Sequence, residues 1–593
     1  MIIAFLLQVS LRVGVVRYNM PMQKIRHQIA EKVHVALQAA YPTEGITPDI
    51  VEESIDFPEQ QFGDVASSIA LRVASIHKTN PREAADAIKH ELAIDDVVHE
   101  VTIAGPGYLN FRLQPTYLSS VLAQYTTKTA PLSDFGAGKR AVMDYSHPNI
   151  GKPMGVHHLL STIIGDAIKR TMRQAGYEVI ADNFIGDLGT QFGKLIWAVK
   201  QWGDTEAIEA NPIDELQKLY VKFHIEADSD VALDDAGRAE YLKLEQGDEE
   251  NRQLWRKIVE WSKAEIQPIY DALGVEFDYM HGESFYEEKM TSILKAGKDA
   301  GVLEESEGAL VCFSDNEDQP PAILRKSDGA TLYITRDLAR IDYWEKTWQP
   351  DVMLVVVDAA QQFAQKQLYE VARKLKLTDA ELVQVNFGRM RFADGSMSTR
   401  KGNILLLKDL ITEARTRALQ IVKDNSRAIT SDEQQDAAEK IAISSIKYNI
   451  LSQNRLSDIV FDWDTILKFD GNSVPHLAYT AARIQSLLTK SGEDLTGVNT
   501  QQYSWNNQVE RELVILLDNY DRELKRAILE YKPSTITTCI FSLAQLYNNL
   551  YNNFPILTAD EADKQARLQL SKAVGLTLNH AFACLGLEVP SKM

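Results

Sequence analysis

The spacing of apolar and polar positions predicts a small α+β unit over residues 22–115. Apolar residues that recur every three or four positions predict its first helix: Ile25, Ile29, Val33 and Leu37. Residues 65–74 carry apolar side chains on one face and are predicted as a second helix. Asn80 followed by Pro81 predicts the start of a third, because proline is favoured in the first turn. Alternation on both sides of a Gly-Pro-Gly turn predicts strands within 101–113.

Two strand–helix–strand units predict a parallel sheet in the middle of the chain. The first unit has apolar strands at 141–146 and 178–183, and the second has apolar strands at 353–357 and 382–387. A helix connects each pair, and Gly176 is expected to end the first of these helices. We therefore predict an α/β fold with a Rossmann-type parallel sheet that an insertion splits into two halves.

The insertion and the C-terminal region are predicted to be mainly helical. An acidic stretch at 228–250 is interpreted as a solvated helical face within the insertion. From about residue 409 onward nearly every segment has helical periodicity. Met20 and Met22 precede the first helical pattern, and we expect one of them to be the biological start.

Composition narrows the classes of function. A chain of 593 residues with 45% hydrophobic and 25% charged residues predicts three or four globular domains. No apolar run is long enough for a membrane helix and no signal peptide is predicted, so we expect no membrane association. Three scattered cysteines exclude a disulfide framework and a cysteine-built zinc site, and fit a reducing cytoplasm. The net charge of −20 disfavours a nucleic-acid partner but does not exclude a local basic groove.

The loop after the first central strand has the character of a phosphate site. It reads Ser-His-Pro-Asn-Ile-Gly-Lys-Pro-Met-Gly-Val-His-His-Leu over residues 146–159 and leads into a helix N-terminus, which favours an anion. Glycines permit close approach of a ligand, and three side chains offer donors to phosphate: Lys152, His157 and His158. A tight turn with ordinary surface histidines is the alternative. A metal pair is disfavoured, because adjacent helical residues point about 100° apart.

A second segment, residues 395–402, reads Gly-Ser-Met-Ser-Thr-Arg-Lys-Gly and follows the second half of the sheet. A basic loop rich in hydroxyl groups can wrap around a triphosphate, although a solvated basic turn explains such a segment equally simply when it stands alone. The two segments support each other, because each follows a strand of the split sheet.

Together the two segments resemble the signature motifs of class I aminoacyl-tRNA synthetases, His-x-Gly-His and Lys-Met-Ser-Lys-Ser. Further segments are similar to the arginyl-tRNA synthetase family in particular, and the likeness extends over about residues 23–593. They are Asn80-Pro-Arg-Glu, Ala104-Gly-Pro-Gly-Tyr-Leu-Asn-Phe, Leu159-Leu-Ser-Thr-Ile-Ile-Gly-Asp, Gly186-Asp-Leu-Gly-Thr-Gln-Phe-Gly, Tyr333-Ile-Thr-Arg-Asp-Leu-Ala, Leu451-Ser-Gln-Asn-Arg-Leu, Val460-Phe-Asp-Trp-Asp and Leu585-Gly-Leu-Glu-Val-Pro-Ser-Lys-Met.

The resemblance implies an arginine–tRNA ligase, which activates L-arginine with ATP and transfers it to the terminal adenosine of tRNA(Arg). Mg²⁺ would enter with ATP, no protein-bound metal is expected, and the family suggests a cytoplasmic monomer. The implied segments are an N-terminal extension of uncertain status (1–21), a tRNA-binding appended domain (22–115), a class I catalytic domain (116–408), a helical connecting domain (409–469) and an all-α anticodon-binding bundle (470–593).

The resemblance also implies roles for individual residues. The implied catalytic residues are Lys152, His157, His158, Arg400 and Lys401, and the implied ATP-binding residues are Pro148, Gly151, Gly155, Met397, Ser398 and Thr399. The implied arginine-binding residues are Asp144, Asn149, Glu283, Tyr333, Asp337 and Gln361. Carboxylates belong in that set because a guanidinium has five donors and no acceptor. The implied tRNA-binding residues are Tyr108, Asn110, Tyr479 and Arg483.

The chain departs from the family pattern in the first signature motif. His157 stands at a usual glycine and Gly155 at a frequent histidine, and a side chain at 157 is expected to crowd ATP. Three further residues replace usual family residues: Leu160 stands at an arginine, Leu188 at a tryptophan and Ala364 at a histidine. A catalytically weakened tRNA-binding paralogue therefore stays open as an alternative. A cysteinyl enzyme is disfavoured, because three scattered cysteines do not supply its zinc ligands.

Overall fold

The computed structural model describes residues 25–58, 60–127, 134–393, 406–425, 430–468, 471–497 and 500–590. These residues form two compact units. The first contains the described residues up to Gln124, with Leu495–Asp518 and Asn553–Leu570, and the second contains the described remainder. None of the described helices combines the length and the apolar character that a membrane span requires. Met20, Met22 and the predicted extension lie outside the described residues.

The first unit is built on a small antiparallel sheet with helices against it. Its strands are β1 (Ile55–Asp56), β2 (Val65–Ser67), β3 (Val98–Ala104) and β4 (Tyr108–Leu113), in the spatial order β1-β2-β4-β3. The helices that begin in this part of the chain are α1 (Ile25–Ala40), α2 (Pro48–Glu53), α3 (Ile69–His77), α4 (Pro81–Glu91) and α5 (Pro115–Thr127). The predicted α+β unit is confirmed, including the start of α4, where the Asn80 side chain accepts from the Arg82 N–H at 2.9 Å.

One predicted helix of this unit was wrong at its beginning. Residues 65–67 form β2, which lies between β1 and β4 in the sheet, and α3 begins only at Ile69. All three residues of β2 are buried, so strand pairing and burial decide their conformation rather than the helical spacing of their apolar side chains.

The remaining described elements complete the chain. The strands are β5 (Arg140–Asp144), β6 (Glu178–Ala181), β7 (Glu304–Ser306), β8 (Ala309–Cys312), β9 (Ala322–Arg325), β10 (Val352–Asp358), β11 (Glu381–Phe387), β12 (Met390–Phe392) and β13 (Ile459–Phe461). The helices are α6 (His157–Gln174), α7 (Thr190–Trp202), α8 (Thr205–Ala210), α9 (Pro212–Ala227), α10 (Val231–Glu245), α11 (Glu249–Leu273), α12 (Glu287–Asp299), α13 (Tyr333–Trp348), α14 (Gln362–Lys374), α15 (Leu407–Asn425), α16 (Ser431–Leu451), α17 (Trp463–Ile466), α18 (Val474–Ser491), α19 (Gln508–Leu529), α20 (Ser534–Asn553) and α21 (Glu561–Leu585).

The second unit contains the predicted parallel sheet, in the order β11-β10-β5-β6. The central strands β5 and β10 are almost wholly buried, which explains their continuous apolar sequences. Helix α6 connects β5 to β6 and ends at Gln174, and Gly176 follows with φ of +89°. This is the left-handed conformation in which glycine is favoured, as the sequence predicted. The split parallel sheet is therefore confirmed.

The insertion between the half-sheets consists of helices α7 to α13 and a three-stranded antiparallel sheet, β7-β8-β9. The acidic stretch at 228–250 contains α10 and the first residues of α11, so it is mainly helical as predicted, but it is not simply a solvated face. Glu240 is 8% exposed and accepts hydrogen bonds from Lys200, Lys243 and Asn251 at 3.1, 2.6 and 2.9 Å. These bonds tie α10 to α7 and to the start of α11.

The C-terminal region is helical from α15 onward, as predicted, apart from β13, which pairs in parallel with β12. The parallel-sheet centre, the N-terminal α+β fold and the helical C-terminal region confirm the predicted fold class. The boundaries proposed for the five segments remain predictions.

Candidate active site

The carboxyl ends of β5 and β10 lie side by side at one edge of the parallel sheet. The chain leaves β5 through Ser146 and His147, two consecutive non-glycine residues with φ of +83° and +49°. The Ser146 N–H donates to Ser161 Oγ at 2.9 Å, and His147 Nε2 donates to the Val356 carbonyl at 3.1 Å. Strained backbone that is held in this way clusters at ligand-binding and catalytic sites.

The rest of this loop is fastened to the segment that follows β6. Asn149 and Gly186 form a parallel bridge, and the Gly186 N–H donates to the Pro148 carbonyl at 3.0 Å. A Cβ at position 186 would lie 2.6 Å from Asn149 Oδ1, so a larger residue there would displace Asn149. Pro148 is buried, whereas Asn149 is exposed and presents its amide on the loop surface.

Three polar side chains of the loop have different surroundings. Lys152 is half-buried, burial lowers its pKa, and within the described residues no ion pair involves it. His158 is 6% exposed, and its Nδ1 donates to the Gly155 carbonyl at 3.2 Å. Burial and the neighbouring His157 lower the pKa of His158 to about 3, so this ring is neutral. Desolvation and the charge of Lys152 also lower the pKa of His157, which leaves Lys152 as the cation of the loop.

The start of α6 offers fewer free donors than the sequence suggested. The N–H groups of His158 and Leu159 are already bonded to the carbonyls of Gly155 and Val156, at 3.1 and 3.0 Å. Gly151 has φ of +81°, a conformation that favours glycine, so this part of the loop depends on its glycine for shape. His157 is exposed at the first position of α6, and its ring lies 3.9 Å from that of His158.

The second signature segment lies entirely outside the described residues, and this includes Met397, Ser398, Thr399, Arg400 and Lys401. The chain becomes described again at Leu406, four positions beyond the end of that segment, and Leu406 forms an antiparallel bridge with Gly155. The Leu407 N–H donates to the Met154 carbonyl at 2.9 Å. Residues shortly after the second signature segment are therefore paired with the first signature motif.

Two of the residues predicted to bind arginine lie on α13, one turn apart. Tyr333 begins this helix and is 68% exposed, whereas the Asp337 side chain is 19% exposed. Asp337 Oδ1 accepts from Arg340 Nη2 at 2.9 Å, and Arg340 also pairs with Asp144. Although burial alone would lower it, the charges of Asp144 and Asp337 raise the pKa of Arg340, so this guanidinium is a permanent cation.

Glu283 lies in a 3₁₀ turn (Glu283–Tyr286) and is 6% exposed. Its Oε2 accepts from Arg336 Nη1 at 3.2 Å. Burial raises the pKa of Glu283 to about 7. The charges of Asp187 and Asp337 also raise this pKa, whereas the charge of Arg336 lowers it. Glu283 is thus a buried carboxyl that depends on a guanidinium partner to stay ionised near neutral pH.

Asp144 and Gln361 occupy contrasting positions at the same sheet edge. Asp144 is fully buried, and its oxygens accept from Arg340 and from the Phe184 N–H, the latter at 3.1 Å. His147 Nδ1 also lies 3.2 Å from Asp144 Oδ2. The contacts of this carboxylate are therefore with other groups of the protein, which it helps to position. Gln361 is exposed in the short 3₁₀ turn directly after β10.

Carboxyl groups outnumber guanidinium groups around this pocket. The carboxyl groups are those of Asp144, Asp187, Glu283 and Asp337, and the guanidinium groups are those of Arg336 and Arg340. The sequence reasoning missed both arginines, although they follow Tyr333 at helical spacings of three and seven residues and so lie on the face of α13 that carries Asp337. An excess of carboxyl groups over guanidinium groups fits a pocket for a cationic side chain.

The two N-terminal residues predicted to bind tRNA differ in exposure. Tyr108 is 40% exposed at the start of β4, where an aromatic ring could stack on an unpaired base. Asn110 is 3% exposed, opposite Thr102 of β3 and Ala66 of β2, and this burial gives no support for reading the edge of a base.

The two C-terminal residues predicted to bind tRNA contact each other. Arg483 Nη2 donates to Tyr479 Oη at 3.0 Å, and the guanidinium lies over the rings of Tyr479 and Tyr551, at 4.6 and 4.4 Å. Asn548 Oδ1 accepts from Arg483 Nη1 at 2.7 Å. Tyr479 and Tyr551 are 44% and 37% exposed, so the cluster presents aromatic surface beside a cation. Tyr551 and Asn548 were not found from the sequence, because they come from a different helix.

The residues that depart from the family pattern have clear environments. Leu160 and Leu188 are 2% and 8% exposed and belong to the apolar interior, whereas Ala364 is exposed on α14. His157 projects to the surface of the first signature motif. Within the described ranges, no group of three or more His, Cys, Asp and Glu side chains is arranged to hold a metal ion.

A split parallel sheet, with the first signature loop at its carboxyl edge and a second signature sequence after its last strand, is typical of a class I aminoacyl-tRNA synthetase. A family model described as "tRNA synthetases class I (R), catalytic domain" matches residues 118–463. Two others, an arginyl-tRNA synthetase N-terminal domain and a DALR anticodon binding domain, match residues 23–113 and 477–593. The chain belongs to the arginyl-tRNA synthetase family.

Similar proteins agree with this assignment. The chain is 38% identical over 536 residues to the arginine–tRNA ligase of Fusobacterium nucleatum, with 90% of this chain and 94% of the relative covered. It is 38% identical over 563 residues to that of an Exiguobacterium strain, with 93% and 97% covered. The arginyl-tRNA synthetases of Plasmodium falciparum and Thermus thermophilus share the fold, with TM-scores of 0.80 and 0.79, and each is 22% identical to this chain. The first comparison covers 97% of this chain and the second covers 96%, and both cover 100% of the solved structure. The predictions of an ATP-using class I synthetase and of an arginine–tRNA ligase are confirmed at the level of the family.

Proposed function

We propose that this chain binds the side chain of L-arginine between Glu283, Asp337 and Tyr333, activates it with ATP and transfers it to tRNA(Arg). The observation that carries the proposal is the excess of carboxyl groups over the two internal guanidinium groups in this pocket. The guanidinium of a bound arginine would supply a further cation, and its planar donors match carboxylates in a bidentate manner.

The first step joins the arginine carboxylate to the α-phosphate of ATP and releases pyrophosphate. Such a displacement depends on positioning and on stabilising the negative charge that develops on the phosphate oxygens. Lys152 is the described cation of the first signature loop, and the proposal assigns Arg400 and Lys401 to the second. Mg²⁺ enters as part of the ATP complex. Asn149, exposed on the loop, would hold the α-amino and carboxylate end of arginine.

In the second step a ribose hydroxyl of the terminal adenosine of tRNA attacks the arginyl carbonyl carbon of the adenylate, which forms the ester, breaks the bond to phosphate and releases AMP. The proposal places tRNA contacts at Tyr108 and at the cluster of Tyr479 and Arg483, where aromatic surface is exposed. The protein is proposed to act as a monomer in the cytoplasm, with Gly151, Gly155 and Pro148 shaping the ATP loop and Gln361 the arginine pocket.

The proposal is tested by charging tRNA with labelled arginine in the presence of ATP and Mg²⁺. Wild-type protein is compared with Asp337→Asn and with the matched control Asp342→Asn, which lies on the same helix and pairs with Lys346. We expect robust charging by the wild type and the control, and a loss in Asp337→Asn of about 100-fold or more in kcat/KM for arginine. Binding of tRNA without charging by the wild type would instead support the weakened paralogue.

A further inference from the structure

Arg336 is the internal partner of Glu283. Its Nη1 lies 3.2 Å from Glu283 Oε2, and its guanidinium carbon lies 5.3 Å from the centre of the Tyr333 ring. The side chains of Arg336 and Glu283 are 12% and 8% exposed. Glu283 and Tyr333 are two of the residues proposed to receive the substrate guanidinium. Arg336 therefore places the same chemical group against the same residues.

The contact with Arg336 is incomplete. A guanidinium has five N–H donors, and Arg336 Nε is buried without a hydrogen-bond partner among the described residues. The observed link to Glu283 joins one nitrogen to one oxygen rather than forming a two-point fork. An ion pair with unused donors is weaker than a bidentate pair, so an incoming guanidinium that forms both bonds can displace Arg336.

Glu283 needs a cation at all times because of its burial. The largest influences of charge on it come from Arg336, Asp187 and Asp337, so Arg336 is the cation among them, and the Leu188 N–H also donates to its carboxyl group. Without it, burial and two neighbouring carboxylates would favour the protonated form. A protonated Glu283 would accept a guanidinium poorly, because binding would first have to remove its proton.

We propose that Arg336 is a positioning residue, which holds Glu283 in the free enzyme and which substrate arginine must displace. This inference rests on the proposed arginine pocket. An exchange of one guanidinium for another keeps the ion pair and improves its geometry. The cost of displacing Arg336 is common to every ligand that pairs with Glu283. Arg336 thus lowers the affinity for arginine.

The test compares wild-type protein with Arg336→Gln and Arg336→Lys across a pH series, by the KM for arginine in tRNA charging and by misactivation of lysine. Lys346→Gln is the matched control, since it is 72% exposed on the same helix. In the wild type the KM should fall with rising pH and level off above the pKa of Glu283, which is about 7. In Arg336→Gln the levelling should move to higher pH, because the charge that favours ionised Glu283 is gone.

At the alkaline plateau, Arg336→Gln should have a KM about three- to tenfold below that of the wild type, because the competing group is absent. The KM of Arg336→Lys should lie between those of the wild type and Arg336→Gln. The rejection of lysine should not change, because the cost of displacing Arg336 is the same for both amino acids. A plateau KM at or above the wild-type value, or a changed rejection of lysine, would overturn the inference and leave Arg336 a structural residue. If the wild type itself failed to charge tRNA, the proposed function would fail instead, so the two failures are distinguishable.

Discussion

The guanidinium of Arg511 and the carboxylate of Asp64 form a buried ion pair between residues 447 positions apart in the chain. Arg511 Nε donates to Asp64 Oδ1 at 2.9 Å, Nη2 pairs with Oδ2, and the two side chains are 4% and 0% exposed. The Leu113 N–H donates to Asp64 Oδ2 at 2.7 Å, and Arg511 Nη2 donates to the Leu113 carbonyl at 2.8 Å. The pair therefore attaches the end of β4 to α19 within the first compact unit.

Removal of the charge from Asp64 should destabilise this unit strongly. Asp64→Asn keeps the shape but leaves the buried Arg511 without its counter-ion, and breaking such a pair costs about 3–5 kcal/mol. We expect a correspondingly lower free energy of unfolding in urea, followed by circular dichroism. Asp56→Asn is the control, because the Asp56 side chain is 90% exposed and its contact with Arg26 is a long one, at 3.8 Å. Equal stabilities of the two variants would show that the buried pair contributes nothing.

The sequence was most informative where burial alone decides structure. β5 and β10 are covered on both faces, so their continuous apolar runs identified the parallel sheet. The three residues 65–67 were misread, because a strand this short is set by pairing with β1 and β4 rather than by its own periodicity. The bonds of Glu240 were missed for the same reason, since Lys200 and Asn251 come from other helices.

The site shows the same limit. The spacing of Tyr333 and Asp337 placed both on one face of a helix, and the structure has them on α13. The sequence did not reveal that Arg340 bridges Asp337 to Asp144, because Asp144 lies on a strand that is distant in sequence. Asn110 could not be separated from Tyr108 by sequence, because positions two apart in a strand face the same side of the sheet. Their exposures of 3% and 40% follow from the neighbouring strands.

Replacement of Lys152 should weaken the activation step. Burial lowers the pKa of this lysine, and the described residues offer it no ion-pair partner, so its ammonium is available to phosphate. We expect Lys152→Met to lower kcat about 100-fold in tRNA charging, as the loss of one charge-stabilising donor typically does. Lys218→Met is the control, since Lys218 is 69% exposed and pairs with Glu215. A kcat within twofold of the wild type would exclude Lys152 from the reaction.

Arg483 should affect tRNA binding rather than chemistry. Its guanidinium organises the rings of Tyr479 and Tyr551, and stacking of one base on such a surface is worth about 1–3 kcal/mol. We expect Arg483→Ala to raise the KM for tRNA about 5- to 100-fold and to leave kcat nearly unchanged. Arg238→Ala, at a position 65% exposed in the insertion, should leave both parameters unchanged. A fall in kcat at saturating tRNA would assign Arg483 a structural role.

Glu240 should make the stability of the insertion depend on acid pH. Burial alone would raise its pKa, but bonds from Lys243, Asn251 and Lys200 outweigh burial and lower it from 4.5 to about 2. A carboxyl with a lowered pKa in the folded state contributes stability above its unfolded pKa, and this contribution is lost as the pH falls through the folded value. The shift corresponds to about 3 kcal/mol.

Glu240→Gln should therefore be less stable than the wild type by about that amount near neutral pH, and the difference should narrow between pH 4.5 and 2. Urea unfolding across that range measures it, with Glu249→Gln as the control, since Glu249 is 65% exposed. A difference that stayed constant with pH would mean that the Glu240 side chain stabilises the insertion by packing and not by its charge.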